Sequence, residues 1–590
     1  MFFYVVAALK NGAFYLRNSR SFPVKKDKTR GFGKYYTIIP AKLFARGKEG
    51  LYSLSEIQKE IVGHTKGAAL VLAGPGSGKT TVIASRVVRL EREVTKPENI
   101  LTLCFGREAA AEMKRRYLIY RETDSKDQAA FSTVHSICFR ILTDVRGGKI
   151  DVLEGQKKIA ALSKIYERIN GRKNIDIEQL VNSISRQRNI SAYGRKIIPQ
   201  IYRFYEICDE YERYKKDRGL IDYDDMIFEA YDRLCASDRL VKKYAREYVQ
   251  ADEAQDLSEM QFKIIKMLSS EGNIFTVADD DQSIYGFRGA APECIINYTK
   301  IFPDAKVYRL EENFRSTGSI VEYASDVSHK NEVRCEKTIF TGKDRGEEVE
   351  TVRFSTGILQ AKTIVSYIKK TLRSDGRSNV GILYRNNLSS LIIMLMLFKN
   401  GIDFRISGEY QDPRKLYMVD RFLKELKKQE KKKIMLTAAV LLQKMRRKGL
   451  LEDSILNCEL TGKQKRTVWS SYDFLLVLCR YANSYEECVK YIELIAKAGD
   501  VADKEGARVF LSTVHSAKGL EFDTVFVIDL VKDEFPGKGA YSGPLLEEER
   551  RLFYVAVTRA RSKLFVTYPE KRGGMPEEKS IFIAERSKTW

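Results

Sequence analysis

"VLAGPGSGKTT", residues 71 to 81, runs from apolar residues through three glycines to Lys79 and two threonines. Glycines let the backbone curl so that successive N–H groups point inward at an anion. In such a loop the Lys79 ammonium reaches the β- and γ-phosphates of a nucleotide, and the Thr80 hydroxyl ligates Mg²⁺. The usual pattern begins with a glycine, and this chain has Ala73 at that position. The alternative to a phosphate-binding loop is an ordinary glycine turn before a helix. We assign nucleotide binding in this loop to Ala73, Gly74, Pro75, Gly76, Ser77, Gly78, Lys79, Thr80 and Thr81.

The flanks of this loop indicate the fold class. Residues 69–72 are an apolar run typical of a strand buried in a parallel sheet, and residues 81–90 predict a helix. Strand-like and helical segments then alternate along much of the chain, which predicts an α/β fold with parallel sheets. The predicted strands are "AALVLAG", "NILTLCF", "AAFSTVH", "EYVQADEAQD", "NIFTVADDDQ", "EVETVRF", "NVGILYR", "RVFLSTVH" and "TVFVIDL".

Two stretches break this alternation. Residues 141–219 and 411–503 are helical and charged, as in "YRFYEICDEYERYKKDRG" and "KELKKQEKKKIM". We therefore predict two sheets, each carrying a mostly helical insertion. Residues 1–50 differ from the rest of the chain and predict a small, β-leaning, basic leader.

The charge balance points to a polyanionic partner. The 590 residues include 102 Lys and Arg against 79 Asp and Glu, a formal net charge of +23. Each cation that neutralises a nucleic-acid phosphate releases counterions, so such an excess favours nucleic-acid binding. The alternative is a surface that is basic without a specific partner.

Cysteine spacing and hydropathy predict a cytoplasmic location. The nine cysteines include no C-x-x-C pair, as expected for reduced thiols rather than metal ligands. The apolar start "MFFYVVAALKNGAFYL" has no preceding cation, and Asn11-Gly12 predicts a hairpin turn, so we reject a signal peptide. No stretch reaches the ~18 apolar residues that a membrane helix needs.

The segment "ADEAQD", residues 251–256, supplies a carboxylate pair after a predicted strand that Gln250 makes less apolar than usual. Beside a phosphate-binding loop, Asp252 would hold Mg²⁺ and Glu253 would take a proton from the attacking water. An acidic pair of this kind is otherwise a solvated turn. The loop upstream favours the functional interpretation.

A third segment, "VADDDQSIYGFRGA" at residues 277–290, combines a polar sensor with aromatic residues. Gln282 can sense the γ-phosphate or orient the attacking water. Tyr285 and Phe287 at alternate positions, followed by Arg288, suit stacking on unpaired bases. Core packing at the end of a strand is the alternative for the two aromatic rings.

With these residues in hand, the sequence resembles superfamily 1 DNA helicases of the UvrD/Rep/PcrA type, collinearly from about residue 53 to 585. The motifs that carry the resemblance are "LSEIQKEIV", "LTLCFGREAAAEMKRR", "FSTVHSICFRIL", "IDYDDM", "LEENFRST", "STVHSAKGLEFDTVFV" and "EEERRLFYVAVTRA". Eight motifs in order, counting the phosphate-binding loop, make a specific match.

The resemblance implies roles for particular residues. Gln58 would read adenine, Phe314 would stack on it, and Arg315 and Arg559 would contact the γ-phosphate. Gly519 and Glu521 would also line the nucleotide site. Lys79, Glu253, Gln282, Arg315 and Arg559 form the implied catalytic set, with Thr80 and Asp252 on Mg²⁺. DNA contacts are assigned to Phe105, Thr133, His135, Tyr285, Phe287, Arg288, Arg385, Asn387 and His515.

The implied architecture is an α/β protein with two RecA-like parallel-sheet motor domains, each carrying a mostly helical insertion, plus the N-terminal leader. ATP would bind with Mg²⁺ between the two motor domains. The boundaries are 1–50 for the leader, 51–140 and 220–316 for the first motor domain, 141–219 for its insertion, 317–410 and 504–590 for the second, and 411–503 for a reduced insertion.

Three departures from the family pattern bear on function. The family's TFTNKAA reads "CFGREAA" here, with Glu108 where a lysine is usual, which puts one strand-backbone contact in doubt. Phe287 replaces the usual tryptophan. The insertion at 411–503 is shorter than the block that regulates unwinding in these helicases.

The implied function is ATP-dependent movement along single-stranded DNA, 3′ to 5′ by resemblance, coupled to duplex unwinding in repair, replication or defence. Implied partners are single-stranded DNA and its junctions with duplex, with an accessory protein on the leader or reduced insertion as a further candidate. One alternative is a partner-controlled DNA-dependent ATPase that remodels protein–DNA complexes or serves an anti-phage assembly. Others are an RNA-directed superfamily 1 helicase and a degenerate ATP-binding scaffold.

Overall fold

The fold comprises two parallel sheets surrounded by helices. The computed structural model describes residues 54–121, 127–171, 177–191, 196, 199, 201–374, 376–408, 410–431, 437–447, 462–498 and 506–584. The predicted leader, residues 1–50, lies outside the described residues. Within them, no helix combines the length and apolar character that crossing a bilayer requires.

The first sheet has six strands, and all of its neighbouring pairs are parallel. The strands lie in the order β3-β2-β4-β5-β1-β6, so the strand before the glycine-rich loop is flanked by the two strands that come latest in the chain. Their bounds are β1 Ala69–Ala73, β2 Ile100–Cys104, β3 Ala130–Thr133, β4 Arg246–Ala251, β5 Ser269–Ala278 and β6 Lys306–Leu310.

Helices cover this sheet, and within the described residues five of them (α5 to α9) follow β3 and α4 before the chain returns to the sheet at β4. The helices in this half are α1 Glu56–Val62, α2 Lys79–Glu93, α3 Arg107–Arg121, α4 Val134–Arg146, α5 Gly155–Asn170, α6 Ile177–Ser191, α7 Phe204–Asp217, α8 Tyr223–Cys235, α9 Asp238–Tyr244, α10 Glu259–Met267, α11 Glu293–Ile296 and α12 Tyr298–Ile301.

The second sheet also has six strands in parallel pairs, in the order β7-β12-β11-β8-β10-β9. The prediction of two parallel-sheet units is therefore confirmed. A short antiparallel pair, β13 with β14, lies outside this sheet. The bounds are β7 Glu350–Phe354, β8 Val380–Tyr384, β9 Phe404–Ser407, β10 Val509–Thr513, β11 Phe522–Val527, β12 Ala560–Pro569, β13 Lys571–Arg572 and β14 Met575–Pro576.

In the described part of the region between β9 and β10, where the sequence predicts the reduced insertion, the chain forms four helices, α16 to α19. Their apolar residues join the same hydrophobic core as β8 and β10. The helices of this half are α13 Gly318–Ser328, α14 Gly357–Ser374, α15 Ser390–Lys399, α16 Tyr417–Lys431, α17 Ala438–Arg447, α18 Gly462–Tyr481, α19 Tyr485–Ala496, α20 Gly543–Val557 and α21 Ile581–Ala584.

Parallel strands bring the functional segments together. Strand β1 is apolar and buried along its whole length, as expected for a strand covered by helices on both faces. The glycine-rich loop, the carboxylate pair and the Gln282 segment follow β1, β4 and β5, which are near neighbours in one sheet. Because all three strands end at one edge, these segments meet there.

A polar network crosses the core of the first sheet at Gln250, the residue that makes its strand less apolar than expected. Arg86, which is fully buried on α2, donates through Nη1 to Gln250 Oε1 (2.8 Å) and through Nε to the His64 carbonyl (3.0 Å). Gln250 Nε2 in turn donates to the Thr102 hydroxyl (3.0 Å). The guanidinium also lies 4.3 Å from the centre of the Phe275 ring. Gln250 therefore provides a hydrogen-bond acceptor for the buried guanidinium of Arg86.

Replacement of Gln250 by leucine keeps the side-chain volume but removes the acceptor that faces the buried guanidinium. We expect Gln250→Leu to lower the free energy of unfolding by about 3 kcal/mol, because a buried charged donor then lacks a partner. Chemical denaturation measures the change. Gln156→Leu is the matched control, since Gln156 is exposed on α5. Equal stabilities of the two variants would contradict this role of Gln250.

Candidate nucleotide and DNA sites

The glycine-rich loop has the backbone geometry of a phosphate cradle. Lys79 is the first residue of α2, directly after the turn. Gly76 and Gly78 have φ angles of +67° and +86°, in the left-handed region that glycine adopts without steric cost. The Ser77 hydroxyl donates to the Gly74 carbonyl (2.8 Å) inside the turn. The other predicted residues, at the end of β1, in the turn or in the first turn of α2, are Ala73, Pro75, Thr80 and Thr81.

A second loop, which comes after β6, lies against the first. The Asn313 side chain donates to the Pro75 carbonyl (2.7 Å), and the Phe314 N–H donates to the Gly76 carbonyl (2.9 Å). A Cβ on Gly76 would lie 2.6 Å from the Cβ of Arg315, so a larger residue would separate the loops. The Phe314 side chain is exposed, at 45% of its maximum, so one ring face is available to a nucleotide base.

Gln58 supports the same loop from α1. Its Nε2 donates to the Ser77 carbonyl (3.0 Å), and its Oε1 accepts the Ser55 N–H (3.1 Å). A Cβ on Gly78 would lie 2.8 Å from that Nε2. The nitrogen and the oxygen of the amide therefore both form hydrogen bonds within the protein. The contact of Gln58 with adenine stays a prediction.

Glu253 lies within a group of charged side chains. Its Oε1 is 3.7 Å from Lys79 Nζ, and its Oε2 is 3.5 Å from Lys518 Nζ. Burial alone would raise the pKa of Glu253, but the two ammonium groups, together with a hydrogen bond from Gln255 and the Arg559 charge, hold the pKa below its usual value. The carboxylate is therefore ionised. Its backbone has a φ of +50°, a strained conformation that is common at active sites.

Thr80 and Asp252 are the predicted Mg²⁺ ligands. Thr80 lies in the first turn of α2, and Asp252 directly follows β4. Within the described ranges no ion pair involves Asp252, whose Oδ1 accepts the Glu253 N–H (3.0 Å). Burial, followed by the Glu253 charge, raises the pKa of Asp252 to about 7. A buried carboxylate without its own cation, together with the loop hydroxyl, is a hard-oxygen donor set that fits Mg²⁺.

Two arginines link this edge to the second half of the fold, Arg315 from the loop after β6 and Arg559 from the second half itself. Arg559, just after α20, donates through Nη2 to Gln282 Oε1 (3.1 Å) and so crosses to the first sheet. Arg315 donates through Nε to Glu521 Oε2 (2.6 Å) and through Nη1 to the Thr558 carbonyl (3.0 Å). The predicted catalytic residues Gln282 and Arg559 are therefore in direct contact, while Arg315 is paired with Glu521.

Lys518 is a residue of this site that the sequence analysis did not assign, although it lies within the matched "HSAKGLEF" segment. Its Nζ donates to the Gln282 carbonyl (2.9 Å) and pairs with Asp256, besides its approach to Glu253. An ammonium from the loop after β10 thus joins the two sheets. The adjoining Gly519 has a φ of +87° and open space around it, so its conformation alone favours glycine.

A fully buried ion cluster lies behind Gln282 and was also missed. The Lys337 ammonium is within 3.0 Å of Asp279 Oδ1, 2.5 Å of Asp280 Oδ1 and 2.9 Å of Asp281 Oδ2. Burial would lower the pKa of Lys337, but the three carboxylates outweigh it and hold the pKa well above its usual value. Arg334 adds a second cation, 2.9 Å from Asp281. The cluster positions the nucleotide site, because Asp279 Oδ2 accepts Gln282 Nε2 (2.6 Å).

The predicted base-stacking residues form one aromatic cluster. Phe105 stacks on Tyr285, with ring centres 5.0 Å apart and an 18° tilt. Phe287 lies 6.0 Å from Tyr285 and meets the His515 ring edge-on at 5.7 Å. The Arg288 guanidinium is 5.4 Å from the centres of both the Tyr285 and Phe287 rings. Tyr285 is thus the centre of the cluster, and Phe105 is its most exposed ring among the described residues.

The other side chains that are predicted to contact DNA are buried or bound to neighbouring groups of the protein. The Thr133 hydroxyl caps the N-terminus of α4, and His135 is packed against α8. Arg385 forms a bidentate pair with Glu549, at 2.8 Å for the shortest contact. The Oδ1 of Asn387 is buried and has no hydrogen-bond partner within the described residues. Their DNA roles stay predictions.

Two of the four histidines are held neutral by their surroundings. Burial, followed by nearby cations, lowers the pKa of His515 to about 3 and that of His135 to about 4. Both folded pKa values are below the usual 6.5, so the unfolded chain takes up protons first as the pH falls. These two histidines therefore contribute stability above pH ~6.5 that is lost as the pH drops toward their folded pKa values.

We expect the ring nitrogen chemical shifts of His135 and His515 to stay constant between pH 5 and 8. The imidazoles remain neutral there, because protonation would place a charge in a buried, cationic environment. Histidine-selective NMR measures the shifts, and His135→Gln and His515→Gln assign the two signals. Titration of either ring near pH 6.5 in the folded protein would contradict the burial.

Comparison with known proteins identifies the family. The UvrD/REP helicase N-terminal domain profile matches residues 54–303, and the UvrD-like helicase C-terminal domain profile matches residues 308–412 and 478–571. The chain is 27% identical to the ATP-dependent DNA helicase PcrA of Bacillus subtilis (strain 168), over 88% of this chain and 83% of that protein. It is 28% identical to DNA helicase II of Escherichia coli (strain K12), over 88% and 85%, and 27% identical to PcrA of Leuconostoc citreum, over 90% and 84%. The chain belongs to the UvrD-like helicase family.

Proposed function

We propose that this protein is an ATP-dependent DNA helicase that moves along single-stranded DNA, 3′ to 5′, and unwinds duplexes ahead of it. The observation that carries the proposal is the contact of Arg559 with Gln282 across the two sheets. Gln282 begins the segment that ends in the aromatic cluster of Tyr285 and Phe287. One short segment therefore connects a nucleotide sensor to a base-stacking surface.

Hydrolysis would use residues that already converge at the edge of the first sheet. The oxygen of a water molecule attacks the γ-phosphorus, the bond to the β–γ bridging oxygen breaks, and the water proton passes to the Glu253 carboxylate. Lys79 would bind the phosphates, for which it must turn from Glu253. Thr80 and Asp252 would hold Mg²⁺, which offsets phosphate charge when bound.

Two arginines, Arg315 from the loop after β6 and Arg559 from the second half, would complete the site. Charge spreads over the phosphoryl oxygens in the transition state, and guanidinium groups stabilise it most when they are held in place beforehand. Arg559 is already at the first sheet. Arg315 would exchange Glu521 for the γ-phosphate, so ATP would replace a direct ion pair between the two halves by contacts of both arginines to one phosphate, and hydrolysis would release those contacts.

Single-stranded DNA would bind by stacking and by charge. Base stacking on aromatic side chains is tolerant of sequence and is worth ~1–3 kcal/mol per base. The rings of Phe105, Tyr285 and Phe287 suit this role, and the net charge of +23 suits the phosphates. Alternate gripping and release of bases, driven by the nucleotide state, would advance the protein along the strand.

A second candidate function is supported by one observation. The C-terminal family profile skips residues 413–477, which include α16, α17 and most of α18. A departure in the insertion favours a motor whose unwinding depends on a partner. In that case the protein would be a DNA-dependent ATPase that remodels protein–DNA complexes or serves an anti-phage assembly.

Two assays on the purified protein decide between these functions. The ATPase rate is measured alone, with single-stranded DNA and with single-stranded RNA, and unwinding is measured on duplexes with 3′ or 5′ tails. Stimulation by DNA and unwinding from a 3′ tail support the proposal. Stimulation without unwinding supports the partner-controlled ATPase, and preference for RNA overturns both.

Lys79→Ala and Glu253→Gln should both abolish ATP turnover, for different reasons. Loss of Lys79 removes a charge contact to the phosphates, so nucleotide affinity falls as well. Glu253→Gln keeps the side-chain shape but removes the proton acceptor, so ATP still binds and the ATP-bound state accumulates. Equilibrium binding of a fluorescent ATP analogue, beside phosphate release, separates the two effects. Wild-type turnover by Glu253→Gln would refute its role as the base.

Phe287→Ala should spare ATP binding, reduce the stimulation of ATPase by single-stranded DNA and stop translocation, because it removes a stacking surface. The same substitution in a purely structural ring would instead cost about 3–5 kcal/mol of stability. The melting temperature is therefore measured beside the stimulated ATPase rate, with exposed Tyr202→Ala as the control. An unstable but fully stimulated Phe287→Ala protein would remove support for its stacking role.

A further inference from the structure

The loop that carries Phe287 is held between two helices that come from distant parts of the chain. On α6, the Asn189 side chain donates to the Ser185 carbonyl (2.9 Å) and to Asp224 Oδ1 (3.1 Å). A Cβ on Gly289 would lie 2.7 Å from the Cβ of Asn189, so the loop is packed closely on this helix. This contact lies within the first half of the fold.

The opposite side of the loop rests on Glu548 of α20, in the second half of the fold. The Phe287 N–H donates to Glu548 Oε1 (3.3 Å). A Cβ on Gly286 would lie 3.1 Å from Glu548 Oε2 and 3.2 Å from Oε1, so the carboxylate lies directly against the loop backbone. The match of "EEERRLFYVAVTRA" to the family includes Glu548 but assigns it no role.

Helix α20 also leads to the nucleotide site. Arg559 follows its last residue by two positions and contacts Gln282. Gln282 and Phe287 are five positions apart in the first half of the fold, whereas Glu548 lies within α20 and Arg559 lies two residues after its end. With a helical rise of about 1.5 Å per residue, the nine steps from residue 548 to residue 557 span roughly 14 Å. The segment 282–287 is therefore held at both ends by α20 and the residues that directly follow it.

This arrangement constrains any movement between the two sheets. If α20 shifts when ATP binds or leaves, the segment either moves with the helix or loses a contact at one end. Under the proposed function the Arg559 contact would respond to the γ-phosphate, whereas the Glu548 contact is made directly to the backbone of Phe287. The neighbouring Glu549 holds Arg385, a second predicted DNA contact, by a bidentate pair.

We propose that Glu548 is a positioning residue that transmits the displacement of α20 to the base-stacking loop and so couples the nucleotide state to the grip on DNA. The inference rests on the proposed DNA-stimulated ATPase. It requires the carboxylate as a hydrogen-bond acceptor for the Phe287 N–H. Glu548 itself contacts neither nucleotide nor DNA in this mechanism.

Four variants test the proposal. Glu548→Leu removes the acceptor at similar volume, and Glu548→Gln keeps an acceptor oxygen and should rescue coupling. Gly286→Ala crowds the carboxylate from the loop side without requiring a positive φ. Glu547→Gln is the matched control on the same helix, since Glu547 contacts Glu332 and Arg551 instead of the loop.

Two measurements report on coupling. The first is the ratio of DNA-stimulated to basal ATPase rate, with the DNA concentration for half-maximal stimulation. The second is the ATP-dependent change in fluorescence of single-stranded DNA that contains 2-aminopurine, which reports stacking. Melting temperatures establish that each variant is folded.

We expect Glu548→Leu and Gly286→Ala each to reduce the stimulation ratio about fivefold or more, the lower range of coupling between sites, and to abolish the ATP-dependent fluorescence change. Glu548→Gln and Glu547→Gln should stay within about twofold of wild type. The double variant Glu548→Leu/Gly286→Ala should lose no more than either single variant, because both act through one contact.

Wild-type stimulation and fluorescence change in folded Glu548→Leu would overturn the inference. If that variant does not fold, wild-type coupling in Gly286→Ala would overturn it instead. A wild-type protein that DNA does not stimulate would overturn the proposed function, and the inference with it, so the two failures are distinguishable.

Discussion

The hydrogen bond from Arg559 to Gln282 joins the two sheets at the carboxyl edge of the first, and the geometry of the functional site depends on both groups staying within reach. Parallel pairing makes this possible, because it places the ends of β1, β4 and β5 at one edge. An antiparallel neighbour would send one of the three loops to the opposite edge. Under the proposed function the same contact would couple nucleotide binding to the aromatic cluster, since Gln282 and that cluster belong to one segment.

Local sequence patterns predicted the parts of the site that a few consecutive residues determine. The phosphate-binding loop and the carboxylate pair are such patterns, and so are the parallel strands, apart from β6, β9 and β12, which the sequence analysis did not mark. Contacts between distant residues could not be predicted in this way. Nothing in the neighbourhood of Lys337 or Glu548 indicates that the first meets three aspartates and the second meets the Phe287 loop. Nor does sequence show that Glu253 has a positive φ.

Buried charged side chains recur in the described part of the molecule, and each one is paired with groups that are distant from it in the sequence. Arg86 uses Gln250 and a carbonyl, Lys337 uses three carboxylates, and Lys518 pairs with Asp256 across the sheets. Desolvation makes such groups costly unless every partner is present, so they favour one arrangement of the elements over its competitors. Near the predicted nucleotide site, such charged side chains can exchange their present partners for phosphate groups. Apolar side chains at the same interface could not do this.

The Lys337 cluster has a consequence for how the chain acquires its structure during synthesis. The three aspartates belong to the segment after β5, whereas the lysine that neutralises them lies beyond α13, more than fifty residues later in the chain. The same return segment places Ile339 against Gly74, where an added Cβ would lie 2.4 Å from the Ile339 Cδ1. A nascent chain that has emerged only as far as β6 therefore contains all six strands of the first sheet but not the cation that neutralises the three aspartates after β5. The ion cluster beside the first sheet is complete only when residues assigned by sequence to the second domain have left the ribosome.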